Sequence, residues 1–176
     1  MIHRIILAAA ITLTVFAGSV AAAPATYKEP LDAQTLNKIR SNFGELMQAA
    51  NRHDFKTLHG MFWQSPSALL VAKSATPSEG NWAGFWGNED IDQKLHDIGT
   101  SGPVVLQPNY SKFKVVGLTR DVAQSYAPVN ITVSYAGQDG TSKPFLVLIN
   151  WIKIGKDWKV ASEILLPVPP VPAAKG

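Results

Sequence analysis

Glu163 and Asn150 are the polar side chains to read first, because each stands among apolar neighbours in the last two strand-like stretches of the chain. Burying a carboxylate is costly unless it is paired or neutral, so an inward Glu163 would be a candidate catalytic residue, and Asn150 is read with it. Strand alternation sets Glu163 on the face opposite Trp158, Val160 and Ile164. The competing reading is a solvent-facing or interface residue, and alternation alone does not say which face is covered. His53-Asp54 offers a second acid–base pair, but adjacent residues seldom face each other and Asp is a strong helix cap. The plainer reading is a cap preceded by a surface histidine. His53 and His59 lie six positions apart with no third ligand at matching spacing, so neither a metal nor a cofactor is expected.

Binding is the other chemistry the residues suggest. Phe62, Trp63, Trp82, Phe85 and Trp86 crowd large rings into a short stretch, three of them in a Gly-rich segment read as a loop. Aromatic side chains beside a cavity hold apolar or planar ligands, so Trp63, Trp82, Phe85 and Trp86 are the candidate ligand contacts; the alternative is that the same rings fill a core. Tyr126 and Tyr135 fall on opposite faces of one strand by parity. At most one of them faces a cavity, and Tyr126 joins the candidates.

Several elements must position these residues. Asp32 is placed to cap a helix whose apolar residues Leu36, Ile39, Phe43, Leu46, Met47 and Ala50 share one face. Asn51-Arg52-His53 interrupts the pattern, and Asp54 caps a second, shorter helix with Phe55, Leu58, Met61 and Phe62. Residues 67–74 read as a first strand. Asn88 is expected to cap a third helix, with Glu89, Asp90 and Asp92 near its positive end and Ile91, Leu95 and Ile98 inward. From Val104 the period becomes that of strands, over 110–116, 122–135, 145–154 and 158–166, joined by short polar turns. The stretch 145–154 is apolar on both parities, so both its faces need cover. Prolines at 167, 169, 170 and 172 end the sheet in an extended tail.

Three helices followed by long antiparallel hairpins resemble the nuclear transport factor 2-like superfamily, which includes ketosteroid isomerase and the SnoaL-like proteins. The local text is similar as well: Asn51-Arg52-His53-Asp54 with Leu58, Trp86-Gly87 with Ile91 and Leu95, Asp121-Val122-Ala123, and Gly155-Lys156-Asp157-Trp158-Lys159-Val160 with Ser162. The resemblance spans 32–166 and implies an α+β cone: three N-terminal helices packed on a curved antiparallel sheet of four to six strands, with a pocket at its open end. It implies no particular reaction, since folds of this kind carry enzymes, binding modules and assembly domains. Ketosteroid isomerase places a tyrosine on the first helix and acids on the sheet; here the first helix has only Phe43 as an aromatic, and the first strand offers Lys73 in place of an acid.

Composition narrows the setting. Residues 1–23 comprise a basic start at Arg4, an apolar run from Ile5 to Ala17 and small residues before Pro24, the pattern of a cleaved secretion signal. The apolar run is shorter than the ~20 residues a membrane span needs, so no stable membrane insertion is expected after cleavage. The expected division is 1–23 signal peptide, 24–31 linker, 32–166 one domain and 167–176 Pro-rich tail, in a periplasmic or secreted protein. The whole chain has 16 Lys and Arg against 13 Asp and Glu, and no basic run, which argues against nucleic acid as a partner. Zero cysteines leave the hydrophobic core to hold the fold. Asn109-Tyr110-Ser111 and Asn130-Ile131-Thr132 match a glycosylation triplet, a pattern short enough to recur by chance. The expectation is a protein that binds a small apolar molecule in an aromatic-lined pocket and pairs as a homodimer. The alternatives are an isomerase- or lyase-type enzyme using the same pocket, or an assembly domain acting through the sheet face.

Overall fold

The computed structural model describes residues 28–169; the expected signal peptide and most of the expected tail lie outside them. Helix α1 (Ala33–Asn51) begins where Asp32 accepts the Thr35 backbone N–H, and it buries Ile39, Phe43, Leu46 and Met47, the stripe that its three- and four-residue spacing dictates. His53 then adopts φ 54°, the left-handed residue that reverses the chain after a helix. Its neighbour Asp54 caps α2 (Phe55–Met61) by accepting from the Thr57 backbone and hydroxyl. Both Asp32 and Asp54 titrate below the ordinary carboxylate value, chiefly because of these hydrogen bonds to Thr35 and Thr57.

Seven strands form one mixed sheet: β1 (Leu69–Lys73), β2 (Trp82–Trp86), β3 (Val105–Pro108), β4 (Lys114–Gly117), β5 (Val122–Thr132), β6 (Lys143–Ile154) and β7 (Asp157–Pro167), in the order β2-β1-β7-β6-β5-β3, with β4 also on β5. The β1–β7 pairing is parallel and the others are antiparallel. Two expectations are corrected here. The segment Trp82–Trp86 is an edge strand rather than a loop, in keeping with the preference of large aromatics for a pleated surface. Since β1 and β2 precede α3 (Asn88–Thr100), the three helices are not consecutive at the N-terminus, and the sheet exceeds four to six strands. Asn88 does not cap α3; its side chain accepts from the Ser65 N–H and donates to the Trp63 carbonyl, fastening the start of α3 to the segment before β1. Residues 110–112 form a 3-10 turn, and the expected strand there starts at Lys114.

The core lies between the helices and one face of the sheet. Phe145, Val147, Ile149 and Trp151 of β6 point into it, and the Trp151 indole N–H reaches the Ser125 hydroxyl at 2.8 Å, so the largest buried ring also satisfies its one donor. The other face of β6 carries Leu146, Leu148 and Ile152, half-buried, as the two-sided apolar pattern requires.

A β-bulge decides the placement of the later polar residues. Asn150 pairs with Ser162 and Trp151 with Val160, which leaves Ala161 as an extra residue on β7. Beyond the bulge the parity of β7 is reversed. Glu163 therefore shares the helix-facing side with Trp158 and Val160 instead of opposing them, while Ile164 turns outward opposite Leu148.

Candidate functional site

Between the sheet and the helices lies a cavity of about 100 Å³. Its walls come from α1 (Leu46, Met47, Ala50), α2 (Leu58), α3 (Leu95, Ile98), β1 (Leu70, Ala72) and the far ends of β5, β6 and β7. The lining is apolar except for Lys73, Tyr135, Gln138 and Glu163. A void of this class holds a small ring compound: an engineered apolar cavity of ~150 Å³ takes up benzene.

Glu163 is 6 % exposed and forms no hydrogen bond among the described residues. Every sealed side-chain nitrogen or oxygen among those residues is partnered, so the carboxyl oxygens of Glu163 open onto the cavity. Burial alone raises its carboxyl from 4.5 to about 7, since the charged form loses water and gains no partner in return. Near neutral pH both its neutral and its charged forms are within reach. It can give one to, or take one from, whatever occupies the space.

Tyr135, 8 % exposed, enters the same cavity from the chain just beyond β5. Lys94 of α3, 7 % exposed, donates to its hydroxyl at 2.7 Å. The ammonium also stands 4.1 Å from the centre of the Phe85 ring and 5.1 Å from that of Tyr135, an aromatic seat for a cation. On the rim, Lys73 reaches the Asn81 side-chain oxygen at 3.4 Å. Trp82 turns its ring toward Phe145 at 5.9 Å, forming one wall.

The residues expected from sequence divide sharply. Glu163 and Trp82 line the cavity. Asn150 lies on the outer face of the sheet, accepting from Gln124 at 3.1 Å and donating to Ser162 at 2.8 Å, far from any acid–base role in the cavity. His53 is the left-handed turn residue after α1, its ring stacked near Phe55. Trp63 is half-buried, its backbone N–H bonded to the Val160 carbonyl, and it does not line the cavity. Phe85 stands behind Lys94, Trp86 is 58 % exposed on the outer face, and Tyr126 sits on that face opposite Leu148. Parity allowed one of the two tyrosines to face inward, and Tyr135 is that one.

Lys94 was not singled out by sequence, yet a signal existed. It stands three residues after Ile91 and four before Ile98, on the stripe that α3 turns inward, where a lysine is out of place unless it has a partner. Between α2 and α3, on the surface, His59 Nδ1 meets Asp92 at 2.5 Å. Among the described residues no three His, Asp or Glu side chains stand together as metal ligands, and no helix is long and apolar enough to cross a membrane.

Comparison with solved structures fits this architecture. The chain is similar to a nuclear transport factor 2-like protein of unknown function from Pseudomonas putida, at 13 % identity and TM-score 0.63 over 82 % of this chain and 94 % of that one. It is similar as well to a candidate dehydratase of the same family from Streptomyces avermitilis, at 14 % identity and TM-score 0.65 over 79 % and 100 %. A cystatin-like fold protein from Caulobacter vibrioides matches at 10 % identity and TM-score 0.61 over 76 % and 89 %. No protein-family model and no curated protein matches the chain. The fold is the nuclear transport factor 2-like α+β cone, as the resemblance in sequence implied.

Proposed function

We propose that the cavity binds a compact, mainly apolar molecule bearing one oxygen function, and that Glu163 is its polar contact. The observation that carries this reading is a buried, unpartnered carboxyl opening onto a mainly apolar space. A core residue at that position would be apolar or paired. Trp82 on the wall supplies the reporter. Titrating the protein with ketones and alcohols of roughly four to six carbons, a size suited to a void of this class, should give a saturable change in tryptophan emission. The change should be lost in Trp82→Phe while binding, followed by calorimetry, persists. No response in either measurement to any member of the series would overturn the reading.

A second reading is favoured by the meeting of Glu163 and Tyr135 in one cavity: proton transfer of the isomerase or lyase type, with Glu163 as the base or acid. A carboxyl raised to about 7 suits that work, because a general acid–base is most effective near the operating pH. This reading includes the binding step of the first and adds turnover.

The outer face of the sheet carries Leu69, Val71, Tyr126, Leu146, Leu148 and Ile164 in adjoining registers, with Trp86 and Leu166 exposed at its margins. We propose that a second copy covers it, using the Gln124–Asn150–Ser162 hydrogen-bonded row as a polar stripe across the interface. Light scattering should give twice the chain mass, falling to the single mass in Leu148→Glu with the fold intact; a single mass for the unaltered protein at working concentration would remove the proposal. Export rests on the pattern of residues 1–23, and the site is placed accordingly in the periplasm or outside the cell.

A further inference from the structure

The contact between Lys94 and Tyr135 has a fixed direction. An ammonium only donates, so the Tyr135 oxygen accepts, and its own proton must point elsewhere. The hydroxyl makes no second hydrogen bond among the described residues, and its side chain lines the cavity. Lys94 in turn forms no ion pair; the two ion pairs among the described residues are His59–Asp92 and Lys143–Asp139. A buried positive charge without a carboxylate beside it favours negative charge on nearby atoms, more strongly in an apolar site than in water.

We infer that Lys94 is a positioning residue whose ammonium forces the Tyr135 hydroxyl to donate into the cavity, so that the site selects ligands presenting an oxygen that carries or develops negative charge. This rests on the cavity being a binding site and narrows its ligands to carbonyl, enol and acid oxygens over amines. Glu163 is the second polar contact, free to exchange a proton with the same molecule.

Cyclohexanone labelled at its carbonyl carbon, bound to the protein at pH 6 and read by infrared difference spectroscopy, tests this. In the unaltered protein the carbonyl band should lie at lower frequency than in Tyr135→Phe, and affinity should be about tenfold lower in that variant, the weight of one hydrogen bond. Lys94→Met should shift the band toward its Tyr135→Phe position while cyclohexanone still binds. A band that keeps its place in Lys94→Met overturns the positioning role, and one indifferent to Tyr135→Phe overturns the donor as well. Should Lys94→Met fail to fold, cyclohexylamine decides with the unaltered protein: it should bind at least tenfold more weakly than cyclohexanone, and equal or tighter binding overturns the inference. Failure of both probes to bind the unaltered protein would instead remove the cavity reading itself.

Discussion

Raising the pH from 4.5 to above 7 is expected to cost the folded protein about 3 kcal/mol through Glu163 alone, and Glu163→Gln should abolish that loss. The sign follows from the two states. In the unfolded chain Glu163 releases its proton at the ordinary 4.5; in the fold, burial delays release to about 7. Between those values the folded state holds more protons than the unfolded one, so stability is full below 4.5, declines as pH rises and levels off above 7. Asp32, Asp54 and Asp139 act in the opposite sense and in a lower window, because hydrogen bonds hold their carboxyls below the ordinary value and protonation there weakens the fold. Subtracting the denaturation profile of Glu163→Gln from that of the unaltered protein isolates the Glu163 contribution. At pH 8 the glutamine variant should be the more stable by the same margin. Parallel profiles from pH 4 to 8 would mean that Glu163 has a partner or water enough to ionise normally, and the candidate site would lose its central feature.

A buried carboxyl with no partner, expected to destabilise the fold at neutral pH, is hard to explain as packing. Sites that act on ligands commonly sacrifice stability in this way, since a polar group prepared for a ligand is left unsatisfied without it. A molecule that accepts a hydrogen bond from the protonated carboxyl would favour the protonated form further and shift the stability loss to higher pH. The pH profile is thus also a ligand assay.

Much of the fold could be read from spacing. The α1 stripe, the aspartate caps at Asp32 and Asp54, and the hairpins formed by β5, β6 and β7 depend on neighbours within a few residues, and local pattern records them directly. The site depended on what local pattern omits. Glu163 was identified as a residue of interest, but alternation put it opposite Trp158 and Val160, because one unpaired residue at Ala161 reverses parity and leaves no mark in composition. Asn150 and Glu163 look alike in sequence, each polar among apolar neighbours; unbroken alternation along β6 turns Asn150 outward to Gln124, and the bulge on β7 turns Glu163 inward to the cavity. The aromatic run 82–86 suggested a ligand loop. It is an edge strand on which Trp82 and Trp86 share one parity and Phe85 takes the other: Trp82, at the strand's start, reaches the cavity wall, Trp86, at its end, is exposed, and Phe85 seats Lys94. The pairing of β6 with β7, which the spacing within either strand does not record, set the side on which Glu163 falls.

Filling the cavity should act on stability in the opposite direction. Ala72 is 3 % exposed on β1 and forms part of the cavity wall beside Leu70. Ala72→Leu replaces its methyl with an isobutyl group that projects into open space. If nothing else moves, the added apolar contact is worth about 2 kcal/mol, at ~0.8 kcal/mol for each buried methylene. Overpacking would reduce the gain, but about 100 Å³ of free volume leaves room for the branch without forcing its neighbours from their rotamers. Denaturation should therefore show a variant at least as stable as the unaltered protein. Ketone binding in the same variant should weaken by a factor on the order of 100 or more, since the atoms that would have contacted the ligand now contact leucine. The combination of retained or increased stability with lost binding separates a ligand cavity from an ordinary packing defect, whose filling changes stability alone. Undiminished binding by Ala72→Leu would place the ligand elsewhere on the molecule and leave Glu163 without its proposed partner.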